Sequence, residues 1–324
     1  IVQYKNSSIN LSNTIIPMNP DGTQGSIVDF TLNLENLDAD LDSSPKYYAS
    51  AETIIIEVVS SYVNNPLVTD SLTFEVVIQP IADLEVNDLI LRGIKDKYPN
   101  VGWKYLSEEN VKLDNYCDLD SEWVWVLDPL DGTKDFIQGT GNYAMHLALM
   151  YKRKPILGVV LIPSKDELWL ACGSKIWCER RKDRIQEINS FSKKNLREMT
   201  LVTSKNHSNP TLRKLIEIIN FQQVVVMGSI GCKISSIIRG DCDIYICLSM
   251  PGRSTPKDWD FAAPEAILKA SGGAITNIDN EDLNYLNKDF SQGNIIIASN
   301  NKQSHGSICI QIKKIIKEND LLSY

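Results

Sequence analysis

Apolar positions change their rhythm along the chain, and the rhythm predicts its elements. Residues 47–63, YYASAETIIIEVVSSYV, place apolar side chains at helical spacing and predict a helix. SLTFEVVIQPI, from residue 71, predicts extended chain. ADLEVNDLILRGIKDKYP, 82–99, sets Leu84, Asn87/Asp88 and Leu91 in a helical rhythm that stops at Pro99. GWKYLSEEN predicts a short strand ending in acids, and EWVWVLDPLDGTKDFIQG predicts strand, turn and helix start. From 143 to 173 a run of strands is separated by the polar turns KRKP and PSKDE, the pattern of an antiparallel meander. Beyond residue 199 helices and strands alternate. LREMTLVTSKNH, FQQVVVMGSI, CDIYICLS, AITNI and NIIIASN predict strands. NPTLRKLIEIIN, GCKISSIIRG, WDFAAPEAILKASGG and SHGSICIQIKKIIKE predict helices. The whole is α/β, with an α+β first part.

The predicted organisation is an N-terminal extension over 1–48, an α+β domain with a large antiparallel sheet over 49–195, and an α/β domain over 196–324. The break falls near SFSKKNLREM. The extension is polar and rich in turn residues. Asp38, Asp40 and Asp42 alternate as at the start of a calcium loop, but Ser43 and Ala49 stand where that loop needs Gly and Glu. An irregular or β-rich extension is the plainer reading.

Composition changes the picture only a little. With 324 residues, 43% apolar and 23% charged, the chain has the balance of a soluble globular protein. A formal net charge of -8 disfavours nonspecific binding to nucleic acid or anionic membrane. No apolar run is long enough to suggest a membrane span, and the first residues do not read as a signal peptide. Seven scattered cysteines without a C-x-x-C pair read as reduced core thiols of a cytoplasmic protein. His146, inside YAMHLALM, reads as a satisfied strand residue.

Three acidic clusters carry the chemistry. In WVWVLDPLDGTKDF, Asp128 ends an apolar strand, the place where α/β sheets present ligands. Asp131 follows three residues on, where the turn can fold both carboxylates toward one point. Gly132 permits close approach, and Thr133 opens a helix whose free N–H groups favour an anion. The same residues also make a good plain turn. Glu108 and Glu109 in LSEEN, and Asp260 in PKDWDFAAPEAIL, read equally as acids complementing helix N-termini. Were Glu108, Asp128, Asp131 and Asp260 to meet, their mutual repulsion would call for divalent, oxygen-loving cations. The i, i+3 spacing of Asp128 and Asp131 argues for ligation rather than the i, i+2 aspartyl-phosphate chemistry.

SEE at 107–109, DPLDGT at 128–133 and WDFAAPE at 259–265, in that order, resemble the inositol monophosphatase superfamily of magnesium-dependent, lithium-sensitive phosphatases. The resemblance runs from about residue 82 to the C-terminus and includes GSIGCK at 228–233 and SGGAITNI at 271–278. DPLDGTKDFI and STPKDWDFAAPEAIL look more like its 3'(2'),5'-bisphosphate nucleotidase branch. It implies a layered α-β-α-β-α sandwich of the inositol monophosphatase/fructose-1,6-bisphosphatase type. Two or three Mg2+ ions would be held by Glu108, Asp128, Asp131, Asp260 and the Leu130 carbonyl. Glu108 and Thr133 would position or deprotonate the attacking water, and Asp83 would act with it. Gly132 and Thr133 would hold the scissile phosphate. Gly228, Ser229 and Lys233 fall where the branch contacts the nucleotide, beside Asp260.

The implied activity is removal of the 3'-phosphate of adenosine 3',5'-bisphosphate, a small-molecule phosphate ester, by a monomer or homodimer. An inositol or other sugar phosphate is the alternative substrate, and a non-catalytic phosphate-binding relative the alternative class. Two departures bear on activity. Pro80 stands where the family has a Thr that supports the aspartate at 83, and Lys205 stands where relatives have Arg.

Overall fold

The structure is a computed structural model that describes residues 82–113, 119–180, 194–204, 210–249, 255–293 and 295–321 in full. Elsewhere it describes only the backbone of Ile81 and of five strands. The chain divides into two compact units, Ile1–Pro80 and Ile81–Tyr324. Asp38–Ala49, Pro80 and Lys205 lie outside the described residues, and with them the expectations attached to the calcium-like loop, to Pro80 and to Lys205.

In the first unit, strands β1 (Val2–Tyr4), β2 (Ser7–Ile9), β3 (Thr53–Tyr62) and β4 (Asn65–Val77) form an antiparallel sheet in the order β2-β1-β3-β4. The helix expected over 47–63 is therefore a strand over most of its length. Apolar spacing in TIIIEVVSSY fits either structure, but β-branched residues lose rotamer freedom in a helix and fit a pleated sheet. The long partner β4 pairs with it from Thr53↔Val77 to Ser61↔Thr69 and settles the choice.

The second unit continues with α1 (Ile81–Lys97), β5 (Lys104–Ser107), α2 (Glu108–Lys112), β6 (Trp123–Asp131), α3 (Thr133–Ile137), β7 (Ala144–Tyr151), β8 (Lys154–Ile162), β9 (Glu167–Cys172), β10 (Lys175–Glu179) and β11 (Arg184–Ile185). After these come β12 (Thr200–Ser204), α4 (Pro210–Ile219), β13 (Gln223–Met227), α5 (Ile230–Arg239), β14 (Ile244–Leu248), α6 (Asp258–Ala270), β15 (Ala274–Asn277), β16 (Ile295–Ser299) and α7 (Lys302–Glu318). The strands make a seven-stranded sheet, β11-β10-β9-β8-β7-β6-β5, and a five-stranded one, β13-β12-β14-β16-β15. All pairs of the larger sheet are antiparallel except β5 with β6.

The layers follow from which side chains each strand buries. On β16, Ile296 and Ala298 join a core with Val124, Val160, Ile234, Phe261 and Ile267, whereas Ile295 and Ile297 join one with Leu212, Leu215, Ile308 and Ile312. The five-stranded sheet thus has α5 and α6 on one face and α4 and α7 on the other, and α5 and α6 also meet the larger sheet. Helix α1 packs on β6. The result is the expected α-β-α-β-α layering. Strand β6 is buried from Val124 through Leu130, as a strand covered on both faces should be.

Gly158 lets α6 lie directly on β8. A Cβ there would stand 2.7 Å from both the Ala263 carbonyl oxygen and Ala266 Cβ. Gly158→Ala is expected to destabilise the protein by about 1–3 kcal/mol through overpacking, read by chemical denaturation. Wild-type stability would show that helix and strand are not pressed together.

Candidate active site

Strand β6 places the first two acids. Along an even strand, residues three apart point to opposite faces. Here the ladder with β7 runs Asp128↔His146 and then Asp131↔Ala144, so β6 carries one residue more than its partner across this interval. That β-bulge reverses the alternation and brings Asp131 to the side of Asp128. Pro129 sits within it, a position where the absent N–H costs no ladder bond, and the Leu130 N–H donates to Asp128 Oδ1 at 3.1 Å. The strand expected to stop before Pro129 thus continues through Asp131.

Helix α6 brings the third acid. Asp260 lies in its first turn and accepts from the Lys257 N–H at 2.5 Å. The neighbouring Asp258 is tied down by Gln292 Nε2 at 2.6 Å and the Leu286 N–H at 2.6 Å, which hold the helix start against the 284–292 loop. One carboxylate oxygen from each of Asp128, Asp131 and Asp260 can lie within 4.8 Å of the others. Glu108, the first residue of α2, lies close enough to this trio for its carboxyl and that of Asp128 to act on each other. Ser107 caps that short helix, accepting from the Asn110 N–H at 3.1 Å.

Burial makes this gathering costly. It pushes the Asp128 carboxyl well above the ordinary range, and Glu108, Asp131 and Asp260 push it further. Burial does the same to Asp260, reinforced by Asp131. At Glu108 burial also raises the pKa, partly countered by Lys112. Asp83, in the first turn of α1, is raised to about 7 by burial and by Glu109 and Glu108, and its Oδ1 has no hydrogen-bond partner among the described residues. A clustered set of oxygen donors with too little positive charge around it fits a hard divalent cation. Asp128, Asp131 and Asp260 are the residues that could hold one.

The floor is formed by the start of α5. Asp131 Oδ2 accepts from Ser229 Oγ at 2.7 Å, from the Gly231 N–H at 3.3 Å and from the Ile230 N–H. Ser229 caps α5 with φ 30, a left-handed backbone that a serine rarely adopts. Lys233 is buried, its Nζ 3.3 Å from the Ser229 carbonyl oxygen and 5.5 Å from the centre of the Tyr245 ring. Burial lowers its pKa while Asp131 opposes that shift. Gly132, φ 91, precedes α3, where a Cβ would come within 2.8 Å of the Asn142 carbonyl oxygen. Thr133 Oγ1 donates to the Leu130 carbonyl oxygen at 3.2 Å. Gly228 packs against the buried Asp135, which accepts from Thr140 Oγ1 at 2.6 Å.

His146 is more than a strand residue. Its Nδ1 lies 3.4 Å from the Trp259 carbonyl oxygen and its Nε2 3.3 Å from Asp131 Oδ2, so one imidazole touches both acid-bearing segments. Its place opposite Asp128 in the ladder depends on the bulge register, which residue spacing does not reveal. Asp135 was likewise hidden, since its contact with Gly228 is made only by the folded chain.

Asp83 should weigh on stability in a pH-dependent way. Its folded pKa of about 7 exceeds the unfolded value, so the folded protein loses stability as pH rises from about 4 to 7 and no further above that. In a metal chelator, Asp83→Asn is expected to be more stable than wild type at pH 8, on the order of 2 kcal/mol, and equal to it at pH 4. Denaturation at the two pH values checks this, and a gap independent of pH would contradict it.

Known proteins resemble this chain over most of its second unit. A family model described as the inositol monophosphatase family matches residues 42–317. The 3'(2'),5'-bisphosphate nucleotidase CysQ of Buchnera aphidicola is 31% identical over 210 residues, 64% of this chain and 74% of that protein. CysQ of Escherichia coli K12 is 29% identical over 206 residues, 63% and 78% of the two chains. The solved structure of inositol monophosphate bound SaIMPase-II superposes with a TM-score of 0.58 at 25% identity, covering 73% of this chain and 85% of that one. The acids on β6 and α6 lie within the matched residues, and the chain belongs to the inositol monophosphatase family of metal-dependent phosphatases.

Proposed function

We propose that the protein removes the 3'-phosphate of adenosine 3',5'-bisphosphate, giving AMP and inorganic phosphate, with Mg2+ at the acidic cluster. The observation that carries this reading is the trio Asp128, Asp131 and Asp260, whose donors come within 4.8 Å without enough cations among the described residues to balance them. The nucleotidase names of the relatives at about 30% identity support the substrate. Bound Mg2+, two or three ions ligated by the trio, Glu108 and the Leu130 carbonyl, would supply positive charge for the entering and leaving oxygens.

The chain's own groups do the rest. Asp83, with a pKa of about 7 and an unengaged Oδ1, has the proton affinity of a general base at neutral pH. Together with Glu108 and Thr133 it orients a water for in-line attack. Asp83 takes a proton from the water as the water oxygen bonds to phosphorus, the bond from phosphorus to the 3'-oxygen breaks, and that oxygen takes up a proton from solvent as it leaves, Asp83 returning its own proton to solvent. The main chain at Gly132 and Thr133 faces the phosphate, and Gly132 has no Cβ to block it. Gly228, Ser229 and Lys233 form the wall beside the nucleotide. Lys233 contributes there chiefly as charge, since it is buried under Tyr245 and bonded to Ser229.

Inositol phosphate is the second reading, favoured by the ligand named for the staphylococcal enzyme. Among the described residues no helix is long and apolar enough to cross a membrane, and a small diffusible ester suits either reading.

Phosphate release from adenosine 3',5'-bisphosphate and from inositol 1-phosphate, each with and without Mg2+ and Li+, separates the two. The expected result is kcat/KM at least tenfold higher for the nucleotide, an Mg2+ requirement and Li+ inhibition. Preference for inositol 1-phosphate would overturn the substrate. Asp131→Asn should lose several powers of ten in rate and keep the fold. Near-normal turnover in that variant would defeat the mechanism.

A further inference from the structure

Glu108 meets a cation that the chain itself carries. Lys112 lies one turn further along α2, where helical spacing brings it back over the first residues. Its Nζ is 2.9 Å from Glu108 Oε1 and 2.8 Å from Glu109 Oε1. Glu109 is fully buried, whereas the Lys112 side chain is 42% exposed on a flexible stem. Lys233, the other lysine of the site, is buried and bonded to Ser229 and so is not free to leave. Lys112 therefore differs from it in being able to move.

The two oxygen neighbours of Lys112 are unlike. Glu108 lies beside Asp128 and adds its charge to the acidic cluster, while Glu109 gives the ammonium a second carboxylate to rest on. A divalent ion held by the Glu108 carboxylate would share that group with an ammonium still paired to it. Two charges of the same sign on one carboxylate in a partly buried site repel strongly. Ion binding and the Lys112–Glu108 pair thus oppose each other, and Glu109 is where the lysine can withdraw.

We propose that Lys112 is a built-in competitor for the divalent cation at Glu108, its charge setting the metal concentration at which that position fills. The inference rests on the reading of the acidic cluster as a cation site. It assigns Lys112 a tuning role and no contact with substrate.

Mn2+ binding tests it directly, followed through the electron paramagnetic resonance signal of free Mn2+ in titrations of the full chain. Lys112→Gln removes the charge and keeps a hydrogen-bond donor. It is expected to bind one class of Mn2+ about tenfold more tightly than wild type. In a Glu108→Gln background the same change is expected to have no effect. Unchanged or weaker binding in K112Q would overturn the inference, and so would equal tightening with and without Glu108, which would reveal only a diffuse field. If K112Q fails to fold because the buried Glu109 loses the Lys112 ammonium, the pair Glu109→Gln with Lys112→Gln restores the charge balance and should show the same tightening. A wild-type protein that binds no Mn2+ would overturn the cation-site reading and this inference together. Wild-type binding that K112Q leaves unaltered would overturn this inference and spare that reading.

Discussion

Repulsion among Asp128, Asp131 and Asp260 is the constraint to which the rest of the molecule answers. Burial and the acids around them make Asp128 and Asp260 hold their protons far more tightly than free carboxyls do, which is the sign of stored electrostatic cost. Proteins keep such arrangements where function repays the lost stability. A divalent cation would remove the cost and turn the same oxygens into ligands. Glu108 and Asp83, each raised by burial and by acidic neighbours, extend the acidic field along one side.

Three unrelated pieces of backbone hold the acids against that repulsion. The bulge of β6 rotates Asp131 to the side of Asp128. Helix α6, pressed onto β8 at Gly158 and pinned at Asp258 by Gln292, fixes the approach of Asp260. The start of α5 donates to Asp131 from Ser229, Ile230 and Gly231 and so fixes its outer oxygen. Rigid elements, not loops, therefore carry the acids, and the large core between the sheets stabilises all three at once.

Much of this was legible in the residues. The order of SEE, DPLDGT and WDFAAPE marked the acids, and apolar periodicity marked the helices and strands of the second unit. What escaped was set by tertiary pairing. TIIIEVVSSY fits a helix by spacing and becomes a strand because β4 pairs with it. DPLD reads as a turn, but a ladder with one residue out of step makes it a bulge. His146 gave no signal, because its meaning lies in a neighbour across the sheet and a carbonyl on another helix. Lys112 was an ordinary surface lysine until the helix brought it onto Glu108.

The most direct measurement is the anomalous scattering of a crystal grown with Mn2+. A strong anomalous peak within bonding distance of Asp128, Asp131 and Asp260 oxygens is the expected result. Carboxylates found apart, or together with no anomalous density between them, would contradict the claim that a divalent cation is the reason they meet.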